Sequence, residues 1–221
     1  MTPEMNFVCR RIKRGSRVLD LGCGSGELLG ILREKYNIHG YGLEIDPQCI
    51  QACIDNGINV IEQDLDSGLG NFPDCSFDSV VMTQALQAMR YPHLILDEML
   101  RIGRECIITF PNFGYWKIRL YLATNGRMPV TNELAYQWYD TPNIHFFTLK
   151  DFENLCKNMN IVIESSIGLT SKGKQFSLNS TLLPTNIITH EAIFLLSYKN
   201  FEPIKIKTTN KMFAKNSAII N

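Results

Sequence analysis

The sequence has no apolar run approaching the roughly 18 residues that signal a transmembrane helix, so no membrane partner is expected. It has no excess of either charge, with 22 basic against 22 acidic side chains, and hence no overall field to draw a nucleic acid. Its seven cysteines contain no C-x-x-C pair, which removes zinc-ribbon spacing, and their odd number does not make a disulfide framework. Cys49 and Cys53 stand four apart on one helix face, but without further Cys or His at ligand spacing they read as ordinary thiols, and no metal is expected. The opening Met-Thr-Pro-Glu-Met-Asn lacks the basic and apolar segments of a secretory leader. Together these absences give the expectation of a cytoplasmic protein.

What is present is the composition of a folded domain. Hydrophobic residues at 45% are enough for a core, and 221 residues fit one domain with additions better than two. The domain is expected over 1–198. Residues 199–221 carry five lysines and one glutamate, leaving 17 basic against 21 acidic side chains in 1–198, and are expected to form a basic, flexible tail.

Strands and helices alternate. Arg17 to Leu21 has the short apolar character of a buried parallel strand, Gly22-Cys23-Gly24-Ser25-Gly26 punctuates a turn, and Glu27 to Tyr36 has helical spacing. Further strands are expected at Ile38 to Ile45, Ile58 to Ile61, Phe77 to Met82 and Glu105 to Phe110, with helices opening at Pro47 and Pro92. Phe113 to Asp140 is rich in aromatics and reads as a cover over the sheet edge. Thr148 and Asp151 make a capping box for a helix over Leu149 to Asn158, and Ile161 to Ile167 with Ala192 to Tyr198 read as an antiparallel closing pair. The fold class is α/β: a doubly wound, mostly parallel, seven-stranded sheet with helices on both faces.

Gly22, Gly24 and Gly26 between a buried strand and a helix let backbone approach a ligand closely. Their G-x-G-x-G spacing is not the dinucleotide G-x-G-x-x-G, because Glu27 and Leu29 occupy the sixth positions. Asp20 places a carboxylate at the strand tip, where a diphosphate is repelled and an ammonium welcomed. Glu44 ends the second strand, where an acid accepts hydrogen bonds from ribose hydroxyls, and Asp64 ends the third, where it accepts from an adenine amino group with the Leu65 N–H beside it. A nucleoside with a cationic end is the ligand this order of acids supports over a nicotinamide cofactor.

Val18-Leu-Asp-Leu-Gly-Cys-Gly-Ser-Gly26 with Glu44 and Asp64 resembles the S-adenosylmethionine site of class I methyltransferases. Tyr41 to Asp46, Asn59 to Asp66, Gln84 to Gln87, Phe110 to Trp116, Gly126 to Thr131 and Trp138 to His145 are similar to the MetW family of methionine-biosynthesis proteins, over about residues 10 to 198. Residues 168 to 188 match poorly. The resemblance implies S-adenosylmethionine or S-adenosylhomocysteine as cofactor, held by Asp20, Gly22, Gly24, Gly26, Glu44, Ile45, Asp64, Leu65 and Gln84. It also implies a partner or regulatory role beside a homoserine O-acyltransferase, with methyl transfer to a small molecule as the alternative.

Candidates to line an acceptor pocket are Gln84, Gln87, Asn112, Tyr139, Asp140 and His145, the last able to take a proton but more commonly a hydrogen-bonding loop residue. Trp116, Trp138 and Tyr139 are expected in the core rather than against a sulfonium. No Asn/Asp-Pro-Pro-aromatic run follows the fourth strand, which disfavours a nucleic-acid methylase.

Overall fold

Thr2 caps the first helix. Its hydroxyl oxygen accepts from the Met5 N–H at 3.1 Å, Pro3 supplies a first-turn φ, and α1 runs Pro3–Arg11 with Glu4, Val8 and Cys9 buried on one side. The structure, a computed structural model, describes residues 1–130, 136–179 and 184–198. The expected tail at 199–221 lies outside the described residues.

The alternation expected from sequence follows: β1 Arg17–Leu21, α2 Glu27–Tyr36, β2 His39–Glu44, α3 Pro47–Asp55, β3 Val60–Glu62, β4 Phe77–Thr83, α4 Pro92–Ile102 and β5 Gly103–Pro111. After β5 come α5 Trp116–Asn125, α6 Leu149–Asn158, β6 Ile161–Leu169, β7 Gln175–Ser177, α7 Thr185–Ile188 and β8 Glu191–Tyr198. One sheet takes the order β3-β2-β1-β4-β5-β8-β6-β7. The first five strands are parallel, β8 runs antiparallel between β5 and β6, and β7 is antiparallel to β6. Among the described residues the count is therefore eight rather than seven. The extra strand is a three-residue edge piece with too few side chains to set up a period.

Alternation along β1 sorts the two faces of the sheet. Leu19 and Leu21 join one apolar cluster with α4 and α6, while Val18 joins the other with α1, α2 and α3. Asp20 shares the parity of Val18, so an acid enters the sheet on the face that α1 covers. The strand order reverses between β1 and β4, and ligands of such sheets sit at that switch, beyond the carboxyl ends of the strands.

Candidate functional site

The glycine turn lies at this switch. Gly22, Gly24 and Gly26 all have left-handed φ, at +71°, +54° and +76°. A Cβ on Gly22 would stand 3.0 Å from that of Ala85, and one on Gly26 would stand 3.0 Å from Cys53 Sγ, so these two glycines serve packing. A Cβ on Gly24 would meet nothing within 4 Å. Bare backbone therefore faces open space at the middle glycine.

Asp20 is 1% exposed, and its Oδ1 has no hydrogen-bond partner. Burial pushes its carboxyl up to about 7, with repulsion from the Glu44 and Glu4 carboxylates adding to the effect. A buried acceptor without a donor is costly in a folded protein unless something fills it. Three neighbouring acids and an orphaned oxygen set up an electrostatic environment that favours positive over negative charge.

Glu4 was not singled out from sequence. It sits on α1, buried, and its Oε1 accepts from the Thr109 hydroxyl of β5 and from Gln84 Nε2 at 3.4 Å. Burial raises its pKa, and those two hydrogen bonds partly oppose the rise. The only local signal was the Thr2-Pro3 helix start, since a contact spanning 105 positions leaves no pattern in the chain.

Glu44 clamps the turn. One carboxylate oxygen accepts from the Gly24 N–H at 2.8 Å, and the other accepts from the N–H groups of Ile45 and Asp46 at 2.8 and 3.0 Å. A carboxylate has about four acceptor positions, so capacity for roughly one ligand hydroxyl remains. Ile45 beside it is 57% exposed, an apolar surface next to the clamp. Asp64 is exposed and caps a short 3-10 turn at Leu65–Ser67, accepting from the Asp66 N–H at 2.9 Å, while Leu65 is buried.

Beyond β4, Gln84 adopts φ +53°, uncommon for a residue with a side chain, and donates its N–H to the Thr109 carbonyl at 3.1 Å. Gln87 is buried and donates Nε2 to the Gln84 carbonyl at 2.6 Å. A carbonyl accepts only from the NH2 end, which identifies the remaining atom of Gln87, Oε1, as an unpartnered buried acceptor.

Asn112 is a structural knot. Its Nδ2 donates to the Asn186 and Thr189 carbonyls at 2.9 Å each, and its Oδ1 accepts from the Gly114 and Leu149 N–H groups, leaving nothing for a substrate. Asn112→Ala should lower stability by about 3 kcal/mol, since several buried groups lose partners, and leave ligand affinity unchanged. Denaturant unfolding beside ligand titration checks both.

The aromatic cover departs from expectation. Trp116, Trp138 and Tyr139 are 43%, 71% and 72% exposed, so they lie outside the core. Tyr139 packs edge-on against Trp138, with centroids 5.6 Å apart. Asp140 is exposed and gives its N–H to the Gln137 carbonyl at 3.0 Å. His145 has Nε2 at 3.4 Å from the Arg90 carbonyl, and its backbone N–H, like that of Ile144, donates to the Gln87 carbonyl at 2.9 Å. The cover is thus anchored to the rim of the switch by backbone. Among the described residues no group of three or more His, Cys, Asp or Glu is arranged to hold a metal, and all seven cysteines are free.

The profile of a family described as methionine biosynthesis protein MetW matches residues 2–196. A bifunctional methionine biosynthesis protein MetXA/MetW of Rhodopirellula baltica is 39% identical over 165 residues, which is 71% of this chain and 26% of that protein. The chain therefore spans about a quarter of that relative's length. Among solved structures, a SAM-dependent methyltransferase from Thermotoga maritima superposes with TM-score 0.65 at 15% identity, covering 89% of this chain and 88% of that one. A TehB-like SAM-dependent methyltransferase from Corynebacterium glutamicum gives 0.59 at 16% identity over 90% and 89%. The cyclase SpnF gives 0.62 at 14% identity over 88% and 80%, so the shared fold does not by itself specify a reaction.

Proposed function

We propose, for a chain that belongs to the MetW family of methionine biosynthesis proteins, that it binds S-adenosylmethionine or S-adenosylhomocysteine at the glycine turn and acts as partner or regulator of a homoserine O-acyltransferase. The observation that carries the ligand is Asp20, a buried carboxylate whose Oδ1 waits for a donor beside the open backbone of Gly24. An amino-acid ammonium supplies three donors and a positive charge there, whereas a diphosphate would face Asp20, Glu4 and Glu44 together. Glu44, already shaping the turn through Gly24, takes a ribose hydroxyl with its remaining capacity. Asp64 and the Leu65 N–H take the adenine, with exposed Ile45 alongside. The partner role draws on a relative in which MetXA and MetW names share one chain.

When bound, the sulfonium supplies an activated methyl group. This chain's residues bind, orient and shield it, and a cation-selective pocket does so whether or not the methyl group is transferred. A second reading, methyl transfer to a small molecule, draws on Gln87: its unpartnered Oε1 would orient a hydroxyl or amine on an acceptor. Incubation with methyl-labelled S-adenosylmethionine and homoserine metabolites separates the two. Saturable binding without turnover, together with copurification of an acyltransferase, fits the partner role; turnover fits the enzyme.

Glu44→Ala is expected to weaken S-adenosylmethionine binding by about 1.5 to 3 kcal/mol, the range for a hydrogen bond to a charged group. An unchanged dissociation constant in calorimetry would remove Glu44 from the site.

A further inference from the structure

Helix α1 carries an acid on its core-facing stripe. Glu4, Val8 and Ile12 recur at every fourth position and so share one side of the helix, and all three are buried, Val8 and Ile12 within the apolar cluster on the α1 face of the sheet. An apolar side chain in place of Glu4 would bury at no electrostatic cost, whereas a carboxylate there gives up its water. Packing alone does not account for Glu4.

The sheet register sets Glu4 against Asp20. Asp20 lies beside Val81 and Val81 beside Ile107, so these side chains leave the same face of the sheet, and Thr109, two residues beyond Ile107, leaves it too. Glu4 is fastened over this row by the Thr109 hydroxyl and by Gln84 Nε2, which both donate to its Oε1. Its carboxylate is near enough to push the Asp20 carboxyl up by charge repulsion.

Two buried acids therefore stand together without a counter-charge. None of the ion pairs among the described residues includes Asp20 or Glu4, and Asp20 Oδ1 has no donor. Both hydrogen bonds that Glu4 accepts among the described residues fall on Oε1, so its second oxygen keeps its acceptor capacity. Like charges in a dry site settle only beside a cation or a proton. An ammonium group brings a positive charge and three donors, enough for both carboxylates.

We infer that Glu4 is a second ligand-binding carboxylate, which with Asp20 grips the α-ammonium of a bound S-adenosyl amino acid and selects it over adenosine thioethers that have no amino-acid end. This rests on the reading of the glycine turn as an S-adenosylmethionine or S-adenosylhomocysteine site, and it extends that site to α1. Thr109 and Gln84 are positioning residues. They hold one oxygen of Glu4 and leave the other to the ligand.

Calorimetry on the full chain tests this with two probes, S-adenosylhomocysteine and methylthioadenosine, which shares the adenosine and the sulfur but has no amino acid. Glu4→Gln keeps the shape and should weaken S-adenosylhomocysteine binding about tenfold or more, the scale of one hydrogen bond to a charged group, with methylthioadenosine within about twofold of wild type. Its melting temperature should match or exceed that of wild type, because a buried carboxylate is gone. Thr109→Val removes the hydroxyl that fixes Glu4 and should weaken S-adenosylhomocysteine about threefold, the scale of a neutral hydrogen bond, again sparing methylthioadenosine; it carries the test if Glu4→Gln does not fold. Equal loss of both probes makes Glu4 a packing residue and overturns the inference, and so does unchanged affinity for S-adenosylhomocysteine; either result leaves the wild-type ligand site standing. A wild-type chain that binds no S-adenosylhomocysteine overturns the inference and the reading beneath it.

Discussion

Asp20→Asn lowers affinity for S-adenosylmethionine by about 100-fold or more, the result expected when one member of a buried, hydrogen-bonded charge pair is neutralised. The free protein should lose no stability and should gain some, because the native chain keeps a carboxylate buried with one oxygen unpartnered. pH separates this from a general packing defect. The Asp20 carboxyl titrates near 7 in the folded chain against an ordinary 3.8, so between about pH 4 and 7 the folded state holds a proton that the unfolded state has released. Stability therefore falls as pH rises through that window and levels off above it. Asp20→Asn removes this component. Ligand affinity moves the other way, rising with pH as the carboxylate ionises towards pH 7, and it declines only when the ligand's own amino group loses its proton. Thermal melts and calorimetry across pH 4.5 to 8.5, wild type beside variant, check both signs.

Gly24→Val abolishes ligand binding while the protein still folds. The added Cβ meets no protein atom within 4 Å, so its methyl groups occupy the space open to a ligand. Valine at φ +54° costs about 1–2 kcal/mol, a loss that a domain of this size shows as a melting temperature a few degrees lower. The same change at Gly26 would strike Cys53 and Ile58 and unfold the turn, so the two variants separate ligand space from core space. A Gly24→Val protein that melts near wild type and binds the ligand normally would move the site elsewhere.

The sequence carried most of the parallel half of the fold because its central strands β1, β4 and β5 are short apolar runs, mostly buried, and α3 and α4 each open on a proline. The capping box at Thr148 and Asp151 set the bounds of α6, and Thr148 Oγ1 and Asp151 Oδ2 make both capping bonds in the structure. Helix α5 escaped notice for a physical reason: a helix that packs almost nothing against the sheet has no apolar period to read. Composition also put Trp138 and Tyr139 in the core, where aromatics commonly sit, whereas the structure leaves them 71% and 72% exposed. Turn glycines and strand-tip acids were legible because position along the chain fixes their place at the switch. Glu4 and Thr109 were not, because their meeting depends on how α1 crosses the ends of β4 and β5, and no local pattern encodes that. The knot that Asn112 ties was not legible either, because its four hydrogen bonds reach residues up to 77 positions away.

One crystal structure of the full chain with S-adenosylhomocysteine tests the central claim most directly. The prediction is density lying over Gly24, with the ligand's amino group facing Asp20 and its ribose against Glu44. A glycine turn left bare at saturating ligand, or one that takes a diphosphate in its place, contradicts it.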